Sequence, residues 1–302
     1  MGKSSIVKKA QHRLEYVLLV IFGVVFRAMP AIVMYGILDF MGWCAFHVFK
    51  IRRGVAVDNL RHALGNEYSE RELLGIARKS YTNIGIAFAE MLCIPIMASR
   101  VREIVDISGI EILEDVGRRG KGVILVSGHF GNWELNGGVV STTGMAISVV
   151  AKPQSNPLVD NLVNEYRELF GVKIIATGAP IKRIVKALRT REVIGLVSDQ
   201  DSGKRGVFVD FFGRKASTPQ GAAQLALKYG SPIIVTGVVR TGIRRYKAIN
   251  REVEVVGGDT IQSLTQRYTS VLEEIIREYP EQYFWMHRRW KTQPSAEDYE
   301  SE

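Results

Sequence analysis

The hydrophobic period changes along the chain, and the changes mark out its parts. From about Leu14 to Phe49 apolar residues are nearly continuous, interrupted by Glu15, Arg27, Pro30 and Asp39. The uncharged runs between these interruptions are each about ten or eleven residues, short of the ~20 that an ordinary spanning helix needs. The stretch therefore predicts a monotopic anchor, bent or broken at Pro30, with Arg27 free to snorkel. A buried core helix pair is the rival reading. A cleavable signal peptide lacks its small-x-small cleavage site, and N-myristoylation fails because Ile6 stands where Ser or Thr is needed.

From Ile51 to about Ser99 the pattern is that of amphipathic helices. Val55–Leu64 has apolar positions at helical spacing and closes on Gly65. Ser69 with Glu72 makes a capping box for a second helix, ended by Pro95. Beyond Val101 the period alternates. Helix is predicted over 110–119, 132–143, 157–170, 181–190 and 219–229, and strand over 123–127, 146–151, 173–176, 193–198 and 232–239. A polar region then leads into a long helix over 260–278, and the last ten residues read as a frayed acidic tail. Strands separated by helices of this length imply an α/β fold, a mainly parallel central sheet with helices on both faces. The division by composition is residues 1–50 as the N-terminal anchor and 51–302 as a helical lead-in followed by the α/β domain.

Charge narrows the partners. The 302 residues carry 40 Lys and Arg against 31 Asp and Glu, a formal charge of +9, which favours a polyanion. Residues 1–13, with Lys3, Lys8, Lys9, His12 and Arg13, contain no acid. Basic residues are not interleaved with a stacking platform of aromatics, and no RRM, zinc-finger or helix-turn-helix signature occurs, so the expected partner is membrane and anionic lipid, with no nucleic acid. Cys44 and Cys93 make neither a disulfide framework nor a Cys-x-x-Cys motif.

Candidate chemistry centres on Gly122–Glu134. An apolar, β-branched run ends in Gly128-His129, turns through Gly131-Asn132 and reads on into a helix. This brings His129 to the end of a buried strand and Glu134 into the first turn of the helix, where imidazole and carboxylate can meet across the turn and make a base. Backbone amides near Gly131 and Asn132 are expected to hold an oxyanion. The bland alternative is a hydrogen-bonded turn histidine. Lys152, Asn156 and Arg167 follow, either ordinary surface polarity or a cationic cradle for a phosphate. His129 and Asp199 both stand at carboxyl ends of strands, where ligands gather in such sheets. Asp199-Gln200-Asp201 is either a hydrogen-bonded turn, a wall that positions the acceptor, or half of a divalent-ion site whose further ligands are not evident. Phe208, Phe211 and Phe212 are either core or the lining of an acyl groove, with Thr218 expected to cap the next helix. Trp285–Trp290 is either an interfacial anchor or packed core with Arg288 and Arg289 paired to acids.

Together these residues resemble the bacterial lipid A late acyltransferases, the lauroyl and myristoyl transferases of lipid A biosynthesis. The resemblance runs through Asn59-Leu60-Arg61, Gly128–Glu134, Asn156 with Arg167 and Gly171, Asp199-Gln200-Asp201, Phe208 with Phe211-Phe212-Gly213, Thr218 and Trp285–Trp290, in the family's order. It implies an enzyme of the bacterial inner membrane, with its site on the cytoplasmic side, that moves a fatty acyl group from acyl carrier protein to a hydroxyl of an acylated glucosamine lipid. His129 is then the base, with Glu134 orienting it or acting as base itself. Arg167 and, less directly, Lys152 hold an acceptor phosphate. Neither a redox cofactor nor a metal is called for. The competing readings are a relative acting on a glycosylated phospholipid or lysophospholipid, a metal-dependent hydrolase built on His129, Glu134, Asp199 and Asp201, and a non-catalytic lipid-binding protein.

Overall fold

The computed structural model describes residues 2–295, with side chains described from Val7 onward, so the side chain of Lys3 and the acidic tail over 296–302 lie outside what is described. Pro30 has no N–H to continue a helix and divides the apolar start into α1 (Gly2–Ala28) and α2 (Ala31–His47). Next come α3 (Arg53–Leu64) and α4 (Glu70–Leu92). The second opens with the predicted capping box: Ser69 Oγ accepts from the Glu72 N–H, while the Glu72 carboxylate accepts from the Ser69 N–H at 2.8 Å. Pro95 starts a separate single turn, α5 (Ile94–Met97), and α6 (Val101–Ile104) leads to a two-residue strand, β1 (Val105–Asp106).

The alternating region follows as α7 (Glu111–Arg118), β2 (Val123–Ser127), α8 (Leu135–Ser141), β3 (Ile147–Ala151), α9 (Pro157–Glu168), β4 (Val172–Ala176), α10 (Lys182–Arg189) and β5 (Val193–Val197). After it come β6 (Val207–Phe211), β7 (Arg214–Thr218), α11 (Gly221–Tyr229), β8 (Ile233–Gly242), β9 (Arg245–Val253) and α12 (Ile261–Glu278). The main sheet has the order β1-β9-β8-β2-β5-β3-β4, parallel except for the β8–β9 pair. The α/β reading with a mainly parallel sheet therefore holds.

Sequence patterning missed β9 and the β6–β7 hairpin. Along β9 the buried positions Tyr246, Ala248 and Asn250 alternate on one face and Val253 falls out of phase on the other, and the small and polar members blur the period of two. The β6–β7 hairpin lies off the main sheet, with the Asp210 N–H bonded to Gln266 of α12 at 2.6 Å. Its apolar cluster signals burial but carries no topology.

β2 lies between β8 and β5, and all five of its residues are buried. Successive side chains point to opposite faces. Ile124 and Val126 join one core with Leu272, Ile275 and Trp285, while Val123 and Leu125 join the other with Leu113, Leu135 and Val139. At ~1.5–3 kcal/mol for each fully buried aliphatic side chain, the strand is held rigidly from both sides. That rigidity matters because β2, β3 and β5 run parallel and deliver their carboxyl ends to one rim.

The N-terminal helices are less completely covered. Among the described residues no single helix is long and apolar enough to cross a membrane, and α2 is a shorter apolar helix of 17 residues. Phe22, Val24 and Val25 on α1 and Ile32, Phe40 and Met41 on α2 are all exposed. The opposite face of α2 is packed: Met34, Leu38 and Phe46 are buried.

Candidate active site

Beyond Ser127 the chain leaves β2 and turns at Gly131 with φ +57°. A Cβ there would lie 2.1 Å from the Val238 carbonyl oxygen, so only glycine fits. The Gly131 N–H donates to the Gln282 carbonyl at 3.0 Å and the Asn132 N–H to the Val238 carbonyl at 2.8 Å. Both amides expected to face an oxyanion are therefore committed to backbone carbonyls. On the other side of the turn, the Phe284 N–H donates to the His129 carbonyl at 3.1 Å.

The acid that meets the imidazole is Asp199, not Glu134. The β2–β5 register sets Ser127 opposite Val197, and both His129 and Asp199 lie two residues further along their strands. Asp199 Oδ1 lies 2.8 Å from His129 Nδ1, and Oδ2 accepts the His129 backbone N–H at 2.8 Å. The carboxylate thus fixes both the ring and the turn that bears it. Asp199 is 3% exposed. Burial alone would lower the His129 pKa, but the charge and hydrogen bond of Asp199, with a contribution from Glu134, outweigh it and raise the pKa above the ordinary histidine value. Burial likewise pushes Asp199 up, and His129 together with Arg289 more than offsets that, leaving it below the usual carboxylate range. Protonation at Nδ1, facing Asp199, leaves Nε2 as the basic nitrogen.

Glu134 sits at the N-cap position of α8, because the helix begins three residues later than the pattern predicted. Its carboxylate is gripped by Arg167 from α9, Nε to Oε2 at 2.8 Å and Nη2 to Oε1 at 2.7 Å, and accepts from Trp133 Nε1 at 3.2 Å. This two-point ion pair is largely withdrawn from solvent, which strengthens it relative to a surface pair. The Arg167 pKa is raised: burial opposes the shift, and the hydrogen bonds and charge of Glu134 prevail.

These groups open onto one cavity of about 350 Å³. His129, Trp133, Glu134, Lys152, Arg167 and Gln200 supply its polar lining, and Leu125, Ile147, Val149, Val172 and Leu196 its apolar walls. Gly137 of α8 lets the helix come close to β4, since a Cβ there would fall 2.4 Å from Val172 Cγ2. Gln200, the middle residue of the Asp-Gln-Asp run, is a wall of this cavity and holds its Nε2 3.3 Å from His129 Nδ1.

Other candidates lie elsewhere. Asn156 caps α9 by accepting from the Leu158 N–H at 3.0 Å, and donates to the His12 carbonyl and to Glu15 on α1 at 2.9 and 2.8 Å. It joins α1 to α9 and does not line the cavity. Asp201 accepts from the Thr292 N–H and hydroxyl at 3.1 and 3.0 Å, tying down the C-terminal segment. With Glu134 on Arg167 and Asp201 on Thr292, the four residues of the hydrolase reading do not converge.

Phe211 and Phe212 are core, packed edge-on or tilted against Tyr283, Trp285 and Trp290. Trp285 and Trp290 are buried with them rather than displayed. Arg289 is 2% exposed and bonded not to an acid but to the Ser217 carbonyl at 2.6 Å and Thr218 Oγ1 at 2.5 Å, so Thr218 serves that contact and no helix cap. Asn59 donates to the carbonyls of Trp285 and His287 at 2.8 and 2.7 Å, fastening α3 to this segment.

Comparison with known proteins identifies the family. The family model for bacterial lipid A biosynthesis acyltransferases matches residues 5–292. The chain is 29% identical over 266 residues to a lipid A biosynthesis palmitoleoyltransferase of Escherichia coli, covering 85% of this chain and 84% of the relative. It is 28% identical over 261 residues to a lipid A biosynthesis lauroyltransferase of the same organism, with the same coverage of 85% and 84%. A phosphatidylinositol mannoside acyltransferase of Mycolicibacterium smegmatis is 26% identical over 221 residues, covering 71% of this chain and 72% of the relative.

Proposed function

We propose, for a chain that belongs to the bacterial lipid A biosynthesis acyltransferase family and is an acyltransferase, that it moves a fatty acyl group from acyl carrier protein to a hydroxyl of a lipid A precursor. The observation that carries this reading is a histidine backed by a buried carboxylate and lining a cavity whose walls are part polar and part apolar. His129 Nε2 takes the proton from the acceptor hydroxyl as its oxygen attacks the thioester carbonyl. The new carbon–oxygen bond replaces the carbon–sulfur bond, and the imidazolium returns the proton to the departing thiolate. Asp199 holds the ring in the required tautomer and stabilises the imidazolium, as an orienting acid does in related base constellations. Glu134 adds negative charge near the ring and holds Arg167 in place, so that Arg167 and Lys152 meet an acceptor phosphate in a fixed geometry. The Gln200 side-chain amide, rather than the committed amides of Gly131 and Asn132, is the donor for the carbonyl oxygen. Leu125, Ile147, Val149 and Val172 receive the alkyl chain.

The exposed apolar faces of α1 and α2 lie on a bilayer, with the basic start of α1 held by anionic headgroups. The setting is the cytoplasmic side of the bacterial inner membrane, where an acidic carrier protein can reach a basic enzyme. The likeness to a phosphatidylinositol mannoside acyltransferase supports a second reading, a glycosylated phospholipid as acceptor. Mass spectrometry of membrane lipids with and without the active gene product decides between them. An added ester-linked acyl group on lipid A, absent with His129→Ala, is expected. The same addition on a phospholipid transfers the assignment to the second reading, and no change in either lipid removes both.

A further inference from the structure

Behind the His129 turn lies a buried carboxylate that takes no part in the proposed chemistry. Glu90 of α4 is 0% exposed. It accepts from Arg240 of β8, Nη2 to Oε2 at 2.5 Å and Nε to Oε1 at 3.2 Å, from the Tyr246 hydroxyl of β9 at 2.5 Å, and from the Tyr35 hydroxyl of α2. Its remaining donor is Asn132 Nδ2, at 2.8 Å to Oε2. Arg240 is itself fixed: Nη1 donates to Asn83 Oδ1 at 2.7 Å, and its backbone N–H donates to Gln282 Oε1 at 2.8 Å. Gln282 in turn supplies the carbonyl that holds the Gly131 N–H.

An ion pair this deep is weak evidence for stability, because desolvating both charges costs about as much as their attraction returns. Apolar residues would fill the space as well, so the charges point to a role other than stability. Every bond around Glu90 leads either to the scaffold or to the turn two and three residues beyond His129. Burial pushes the Tyr35 pKa up to about 12, with the charge of Glu90 adding to the effect, so its hydroxyl stays a donor and the network keeps one arrangement.

We propose that Glu90 is a positioning residue for acyl transfer, acting through Asn132 to hold the His129 turn in register with Asp199. The proposal rests on the reading of His129 as the base. Through Tyr35 it also connects the turn to α2, whose other face carries exposed Ile32, Val33 and Ile37. The charged and titratable groups acting on His129 are Asp199 by direct contact and Glu134, with His287 at longer range and Arg289 behind Asp199. Asp199 dominates, so a turn that slips from it loses most of what raises the imidazole.

Two full-length variants in lipid or detergent test this. Glu90→Asp keeps a charge for Arg240 but withdraws it by one methylene from Asn132. Asn132→Leu removes the donor at similar volume and remains informative if the first variant fails to fold. In each, kcat is expected to fall on the order of 10–100-fold while KM for donor and acceptor stays within about twofold. The His129 titration midpoint, followed by NMR of nitrogen-labelled histidine, is expected to move to lower pH. Unchanged kcat in Asn132→Leu overturns the proposal, and so does a loss of kcat with the midpoint unmoved, which marks general damage. Because the NMR midpoint needs no turnover, a shifted midpoint in a protein that transfers no acyl group keeps the positioning role and sinks the transferase reading instead.

Discussion

At the scale of single residues, the geometry redistributes the roles of two acids. A histidine followed by an acid five residues on suggests that the two pair, yet Asp199, 70 residues away in the chain, takes the imidazole, and Glu134 takes Arg167. Asp199→Asn removes the interaction that opposes burial, so the His129 pKa drops below its ordinary value instead of lying above it. The acid limb of the pH–rate profile is then expected to move to lower pH, and kcat at neutral pH to fall about 10²–10⁴-fold, measured by steady-state transfer from an acyl thioester. The pair also contributes to stability. The raised His129 contribution is complete below the unfolded histidine pKa of ~6.5 and fades as pH rises through the folded value. The depressed Asp199 contribution is complete above the unfolded ~3.9 and fades as pH falls through its folded value. The stability difference between wild type and Asp199→Asn, read from urea midpoints, is therefore expected to be largest between about pH 4 and 6.5.

Elements explain why the site has its shape. Parallel pairing of β2 with β5, and of β5 with β3, brings three strand ends to one rim, and the close approach of α8 to β4 at Gly137 bounds the cavity behind them. Each methylene buried is worth ~0.8 kcal/mol, roughly a fourfold preference per carbon, so under the proposed function the wall residues are expected to set the favoured acyl length. Val172→Ala is expected to shift donor preference toward longer chains and Gly137→Val toward shorter ones. Competition between acyl donors of graded length measures this, and identical preferences in both variants would separate the cavity from the acyl chain. Apart from the β6–β7 hairpin, helix and strand positions between 110 and 239 are readable from period, and the Ser69–Glu72 capping box and the break at Pro30 from residue type and spacing. The start of α8 is not, since Asn132 donates to Glu90 and Val238 and Glu134 accepts from Arg167, which draws this stretch into a turn.

Across the whole molecule, polar chemistry and apolar display lie close together. Phe88 is 54% exposed and its ring centroid is 6.1 Å from that of Trp133, which in turn lies 5.4 Å from His129. The cavity rim is thus linked by aromatic contact to an exposed apolar residue on α4, the helix against which α2 packs. Introducing acids on the outer face, as in Phe22→Glu with Phe40→Glu, is expected to weaken co-sedimentation with anionic vesicles about tenfold or more. The unfolding midpoint should change little, because both side chains are already in contact with solvent. Undiminished vesicle binding would argue that this face serves another purpose.

The order of residues fixes local features: which segments are helix or strand, where the chain breaks, and that a histidine and an aspartate follow the ends of two strands. Those features follow from period, caps and turn residues, which act over a few positions. Pairing required the tertiary structure, because it depends on which strands become neighbours and in what register. A one-residue slip between β2 and β5 would part His129 from Asp199 without altering either local pattern. The same holds for Glu90, an unremarkable acid in an amphipathic helix until folding surrounds it with Arg240, two tyrosines and Asn132. Burial is a property of the assembled layers, and it is burial that turns these charges into fixed partners.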